Sequence, residues 1–172
     1  MNEINYNNVE ELGEFVEVAY ASDQDVSLYY LQLYNGVTGS VDGSPLFVGV
    51  DGIAGEQGVN GGLSFTYFDL PGLSNSTDVE VRDGIAIVDS VSGRVVEFIS
   101  YDGSFVATDG PAVGMLSLDI GVSKRGNENA AASLQLAGTG CVRSEFAWEY
   151  PLESSKGRVN TNQADICSTL TP

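Results

Sequence analysis

Ile85-Ala86-Ile87-Val88-Asp89-Ser90-Val91-Ser92-Gly93-Arg94-Val95-Val96-Glu97-Phe98-Ile99-Ser100-Tyr101 is the stretch that decides the fold class. Two runs rich in β-branched and aromatic residues flank Ser90-Val91-Ser92-Gly93. That composition favours extended chain, and a four-residue loop ending in glycine closes a hairpin. The same signature recurs outward in both directions. Glu14 to Tyr20, Leu28 to Tyr34, Leu63 to Phe68 and Ser133 to Ala137 read as further strands. Between them stand Tyr34-Asn35-Gly36, Val41-Asp42-Gly43-Ser44-Pro45, Arg82-Asp83-Gly84, Tyr101-Asp102-Gly103 and Asp109-Gly110-Pro111. Asn, Asp and Gly tolerate the positive φ of tight turns, so these are turn signals with a mechanism. Many short strands punctuated in this way predict an all-β chain, a sandwich or a barrel. Asn8 to Gly13 alone reads as briefly helical.

Composition narrows the function classes. The chain has 172 residues, 24 acidic and 7 basic side chains, no histidine, and a formal net charge of -17. Such a length suits one compact domain or one and a half, and a chain of about 150 residues buries roughly 70% of its unfolded surface without metal or disulfide help. Nucleic-acid binding depends on cationic side chains that displace counterions from phosphates, so the charge argues against it and equally against anionic lipid. The absence of histidine excludes the usual zinc enzymes, Ser-His-Asp hydrolases and Cys-His proteases. No stretch approaches the roughly 20 apolar residues of a membrane-spanning helix, so no membrane insertion is expected. The basic residues are uneven: none precedes Arg82, and Lys124, Arg125, Arg143, Lys156 and Arg158 fall late, where they read as solvated surface.

Gly49, Gly52, Gly55, Gly58 and Gly61 place a glycine at every third position. The run contains no proline, which excludes collagen, and it lacks the spacing of a phosphate-binding loop. It reads as a surface excursion with tight turns.

Three chemistries fit the residues present. No cofactor is expected; structural Ca²⁺, and with it a calcium-dependent binding domain, is the alternative, because hard cations take oxygen ligands. Asp42, Asp51, Asp102 and Asp109 are candidate loop ligands, although an Asp beside Gly is more often a simple turn former. The EF-hand-like run from Asp78 to Gly84 fails, since Arg82 occupies a ligand position and the glycine comes one place late. A glycosidase needs only two carboxylates at the right separation, and no acid here sits in a recognisable motif. Cys141 and Cys167 match neither a metal knuckle nor a redox pair. Paired, they would stabilise the fold by roughly 3 kcal/mol; the alternative is two separate buried thiols.

The order of segments is similar to that of bacterial lamin-tail domains. Asn2-Glu3-Ile4-Asn5-Tyr6-Asn7-Asn8 followed by Gly13-Glu14-Phe15-Val16-Glu17-Val18 resembles the family's opening. The likeness continues through Val26 to Gly36, Asp83 to Asp89, Val96 to Gly103 and Ser133 to Gly140, then Trp148 and Gly157-Arg158-Val159-Asn160. It reaches from residue 2 to about residue 163, and its motif residues are Glu3, Asn5, Glu14, Glu17, Trp148, Gly157 and Asn160. The resemblance implies an immunoglobulin-like β-sandwich over residues 1–163, with residues 164–172 as a C-terminal tail that a Cys141 to Cys167 bond would tether. Such a sandwich uses about 100 residues, so the resemblance puts the surplus in a long loop from Gly36 to Gly62 and in a second from Thr108 to Ala132. It further implies a module without enzymatic activity, monomeric, on a secreted or cell-surface bacterial protein such as an extracellular nuclease or phosphatase, with a protein or polymer partner. An exported parent would carry its signal outside this chain. The sequence departs from the family pattern at Ser154-Ser155-Lys156-Gly157, where Thr-Pro-Gly is usual.

Overall fold

The computed structural model describes residues 1–6, 13–57, 62–73, 82–124 and 129–165. The chain is all-β, as expected of a sandwich-class sequence, and its strands fall into two sheets that belong to two compact units. The first unit takes residues 1–24, 53–75 and 123–172; the second takes residues 25–52 and 76–122.

In the second unit, strands β3 (Tyr29–Asn35), β4 (Val41–Phe47), β7 (Asp83–Asp89), β8 (Val95–Tyr101) and β9 (Leu118–Asp119) form a five-stranded sheet in the order β4-β3-β7-β8-β9. The expected hairpin is β7 and β8, paired antiparallel from Asp83↔Tyr101 to Val88↔Val95. Its loop closes as the residue types dictate. Gly93 takes φ 70°, its N–H donates to Asp89 O at 2.8 Å, and the Asp89 carboxylate accepts from Val91 N at 2.9 Å. One face of the sheet packs Tyr34, Ala86, Val88, Phe98, Phe105, Ala107 and Ala112 into a core. Phe98 meets Tyr34 at 5.1 Å and Phe105 edge-on at 5.5 Å, the offset geometries that aromatic quadrupoles favour.

The first unit holds β1 (Glu3–Asn5), β2 (Phe15–Ala21), β5 (Ile53–Gln57), β6 (Leu63–Asp69), β10 (Ala132–Gly140), β11 (Phe146–Glu153) and β12 (Gln163–Asp165). They form a seven-stranded sheet in the order β11-β10-β1-β2-β6-β5, with β12 pairing parallel to β10. Side chains alternate across a strand, and directly opposed residues share a face. Ile4, Val16, Phe68 and Leu134 therefore lie together on one side, all 3% exposed or less.

Two expectations need correction. The excursion from Gly36 to Gly62 contains strands β4 and β5 rather than loop alone, and β9 lies inside the expected loop from Thr108 to Ala132. β4 and β5 are edge strands, as is β11, which is likewise absent from the strands expected above. Edge positions tolerate the Gly43, Pro45, Gly55 and Pro151 that disguise them, because one side of the backbone has no ladder to feed. β12 pairs in register with β10 as far as Asp165. The briefly helical reading from Asn8 to Gly13 falls, apart from Gly13, outside the described residues.

A buried carboxylate clamp as the candidate functional site

The face of the seven-stranded sheet opposite Ile4 and Val16 is polar at its centre. The register sets Glu3 against Glu17 of β2 on one side and Gln135 of β10 on the other. Glu3 and Glu17 are 0% exposed, which is unusual for glutamate unless every oxygen has a partner. The partners come largely from the segment that follows β11.

Glu3 Oε1 accepts from Ser133 Oγ at 2.5 Å, Ser154 Oγ at 2.9 Å and Ser155 N at 2.9 Å, and its Oε2 accepts from Ser155 Oγ at 2.8 Å. Glu17 Oε1 accepts from Asn2 Nδ2 at 2.8 Å, and Oε2 from Gly157 N at 2.5 Å. Asn160 closes the far side: its Nδ2 donates to Asn2 O at 3.1 Å and Leu136 O at 2.9 Å. Gln135 bridges to the same segment, donating to Glu153 O at 2.7 Å and accepting from Thr161 N at 3.2 Å. Lys156 caps the outside. Its ammonium pairs with Asp69 and lies 4.5 Å from the Tyr67 ring centroid and 5.1 Å from that of Phe15.

Two opposed carboxyls in one dry site cannot both ionise cheaply. Burial, and then the charge of Glu3, push the Glu17 carboxyl up to about 8. Burial also raises Glu3, against the pull of its serine donors. Glu3 has four donors and Glu17 two, so the cost of ionising falls more heavily on Glu17.

Gly157 can reach Glu17 only because two glycines meet. Gly157 has φ 77°, and Glu56 N donates to its carbonyl at 2.7 Å. A Cβ on Gly55 would stand 2.5 Å from Gly157 O and 2.7 Å from its Cα. The Gly55 member of the every-third-residue run thus serves backbone approach, while Gly58 and Gly61 lie outside the described residues. Gly55→Ala should destabilise the chain by about 1–3 kcal/mol, the cost of overpacking a fitted contact. An unchanged urea midpoint would show that β5 shifts freely away from the segment.

The expected motif residues divide into groups. Glu3, Glu17, Gly157 and Asn160 meet in the clamp. Asn5 and Glu14 lie beside it: Asn5 Nδ2 donates to Gly13 O at 3.0 Å and Ala130 O at 2.9 Å, and Glu14 Oε2 accepts from Gly72 N at 2.7 Å and Leu73 N at 2.9 Å. Trp148 lies on β11 opposite Leu136, and its buried Nε1 finds no acceptor among the described residues. Asn2, Ser133, Gln135 and Ser155 complete the clamp without having been expected in it. Ser133 and Gln135 hold the polar positions of the Ser133 to Ala137 alternation and Ser155 lies in a turn-like Ser-Ser-Lys-Gly run, so nothing local separates them from solvent-facing residues.

The four candidate calcium aspartates stand in separate local settings. Asp51 accepts from Phe47 N at 2.7 Å, Asp109 accepts from Val41 N at 2.7 Å, Asp42 pairs with Leu33 in β4, and Asp102 takes φ 64° after β8. Among the described residues no three His, Cys, Asp or Glu side chains gather as a metal site. Cys141 follows β10 in a turn where Glu145 Oε2 accepts its N–H at 2.6 Å. It is disulfide-bonded, and Cys167, the expected partner, lies outside the described residues. A cavity of ≈ 260 Å³ opens beside this turn, lined by Met1, Tyr20, Leu136, Arg143 and Phe146 among others, and it includes neither Glu3 nor Glu17. No helix among the described residues is long and apolar enough to cross a membrane. No family model, no curated protein and no solved structure matches the chain.

Proposed function

We propose that the chain is a non-catalytic interaction or spacer module of the lamin-tail type, carried on a larger secreted or cell-surface bacterial protein. The observation that carries this reading is the state of its buried acid pair. A hydrolytic carboxylate pair must reach substrate and water. Glu3 and Glu17 are fully buried, and their oxygens are taken up by donors from Asn2, Ser133 and the 154–157 segment. They work as a clamp that holds that segment to the sheet. The charge of -17 favours a neutral or cationic protein or polymer partner over nucleic acid.

The test is an assay of the purified chain on DNA, a phosphate monoester and polysaccharides. No turnover above the buffer blank is expected. Turnover abolished by a single Asp or Glu substitution in a folded variant would overturn the module reading.

A further inference from the structure

Lys124 is a buried amine that the clamp does not use. It is 0% exposed, and its Nζ donates to Asn5 Oδ1. The backbone around it is pinned to β1, since Tyr6 Oη accepts from Lys124 N at 2.9 Å and lies 3.4 Å from Ser123 Oγ. The Asn5 amide cannot turn over without loss. Its Nδ2 hydrogens go to the carbonyls of Gly13 and Ala130, which fixes Oδ1 toward the amine. Glu14, 2% exposed, lies close enough for its charge to act on Lys124.

A nucleophile and an electrophile are therefore in contact, with a carboxyl group close by. The electrophile is an amide carbon one C=O bond, about 1.2 Å, beyond the oxygen that Nζ contacts, so the amine is held near attack range. Burial brings the Lys124 ammonium down from 10.5 to about 8, so the neutral nucleophile is accessible under mild conditions. Glu14, buried and near enough for its charge to reach Lys124, is the carboxyl group placed to carry a proton between the amine and the amide.

We propose that Lys124 and Asn5 join in an intramolecular isopeptide bond, with Glu14 relaying the proton. The Nζ lone pair adds to Asn5 Cγ, and the Nζ–Cγ bond forms. A proton passes from Nζ through the Glu14 carboxylate to Nδ2, the Cγ–Nδ2 bond breaks, and ammonia leaves. The product is a secondary amide. No electron is transferred and no co-reactant is needed. The bond ties β1 to the segment at Lys124 across 119 positions of sequence, and so restrains the unfolded chain as a disulfide does, but independently of redox conditions.

The experiment is the intact mass of the full chain, reduced and denatured. A mass about 17 Da below that of the sequence, one ammonia lost to the acyl transfer, is expected, together with a branched peptide joining Asn5 to Lys124 in a digest. The unmodified mass, or a gain of about 1 Da from hydrolysis of Asn5 to Asp, would overturn the proposal. Lys124→Arg, which keeps a cation at the site, should restore the unmodified mass. Glu14→Gln should leave the chain largely uncross-linked, and cross-linking at the wild-type rate in that variant would overturn the relay. Because the decisive reading is made on the unsubstituted protein, a variant that fails to fold does not blur it.

Discussion

Replacing Glu3 with alanine should lower the unfolding free energy by about 3–5 kcal/mol, a large share of the 5–15 kcal/mol typical of a domain. The substitution removes the acceptor for Ser133 Oγ, Ser154 Oγ, Ser155 N and Ser155 Oγ at once. An unpaired buried donor costs about 1–3 kcal/mol, and the serine hydroxyls recover part of this by turning to other acceptors. Ser155 Oγ, for example, also lies 2.9 Å from Asn160 Oδ1. Glu3→Gln keeps the shape and one acceptor and should cost less. Urea unfolding followed by the fluorescence of Trp148, the single tryptophan, measures both. Equal midpoints for wild type and Glu3→Ala would mean that Glu3 does not hold the 154–157 segment.

The second large effect is a loss of stability as pH rises. Glu17 has a folded pKa of about 8 against 4.5 for the ordinary group. Between those values the folded chain binds more protons than the unfolded one, so unfolding free energy falls with increasing pH. The contribution is complete below pH 4.5 and lost by about pH 8. Its size is on the order of 5 kcal/mol, since each tenfold gain in proton affinity is worth about 1.4 kcal/mol. Glu3, also raised, acts in the same direction. Asp25, Asp89 and Glu145 have lowered values and act below the window. Lys124, lowered to about 8, acts above it. Glu17→Gln should flatten the profile between pH 5 and 8. A wild-type midpoint that is level across this range would contradict a neutral Glu17.

The clamp is partly legible in the chain. Glu3, Glu17, Gly157 and Asn160 are marked by their motif positions, yet nothing local says that residues 3 and 157 touch. The reading of the late basic residues as solvated surface shows the same limit. Lys156 does lie at the surface against Asp69, whereas Lys124 is fully buried beside Asn5. Charge alone gives no depth, because burial depends on which strands close over a side chain. Asp51 and Asp102 illustrate the converse, since the hydrogen bond of one to Phe47 N and the positive φ of the other are local and readable as turn chemistry, whereas Asp109 reaches Val41 N across 68 positions and Asp42 lies within β4.

Local physics determined the all-β class, the β7–β8 hairpin and most of the inner strands, since β-branched composition and Asp-Gly or Ser-Gly turns act within a few residues. It also determined an acidic chain without histidine, and with that the exclusion of several enzyme classes. Only the tertiary structure decided the edge strands β4, β5 and β11, whose pairing outweighs poor intrinsic propensity. Only it decided that Glu3 meets Glu17, that Gly55 admits Gly157, and that Lys124 reaches Asn5. These are encounters between residues far apart in the chain, set by strand register rather than by any short pattern. A buried charge acquires its meaning from the donors that register brings to it.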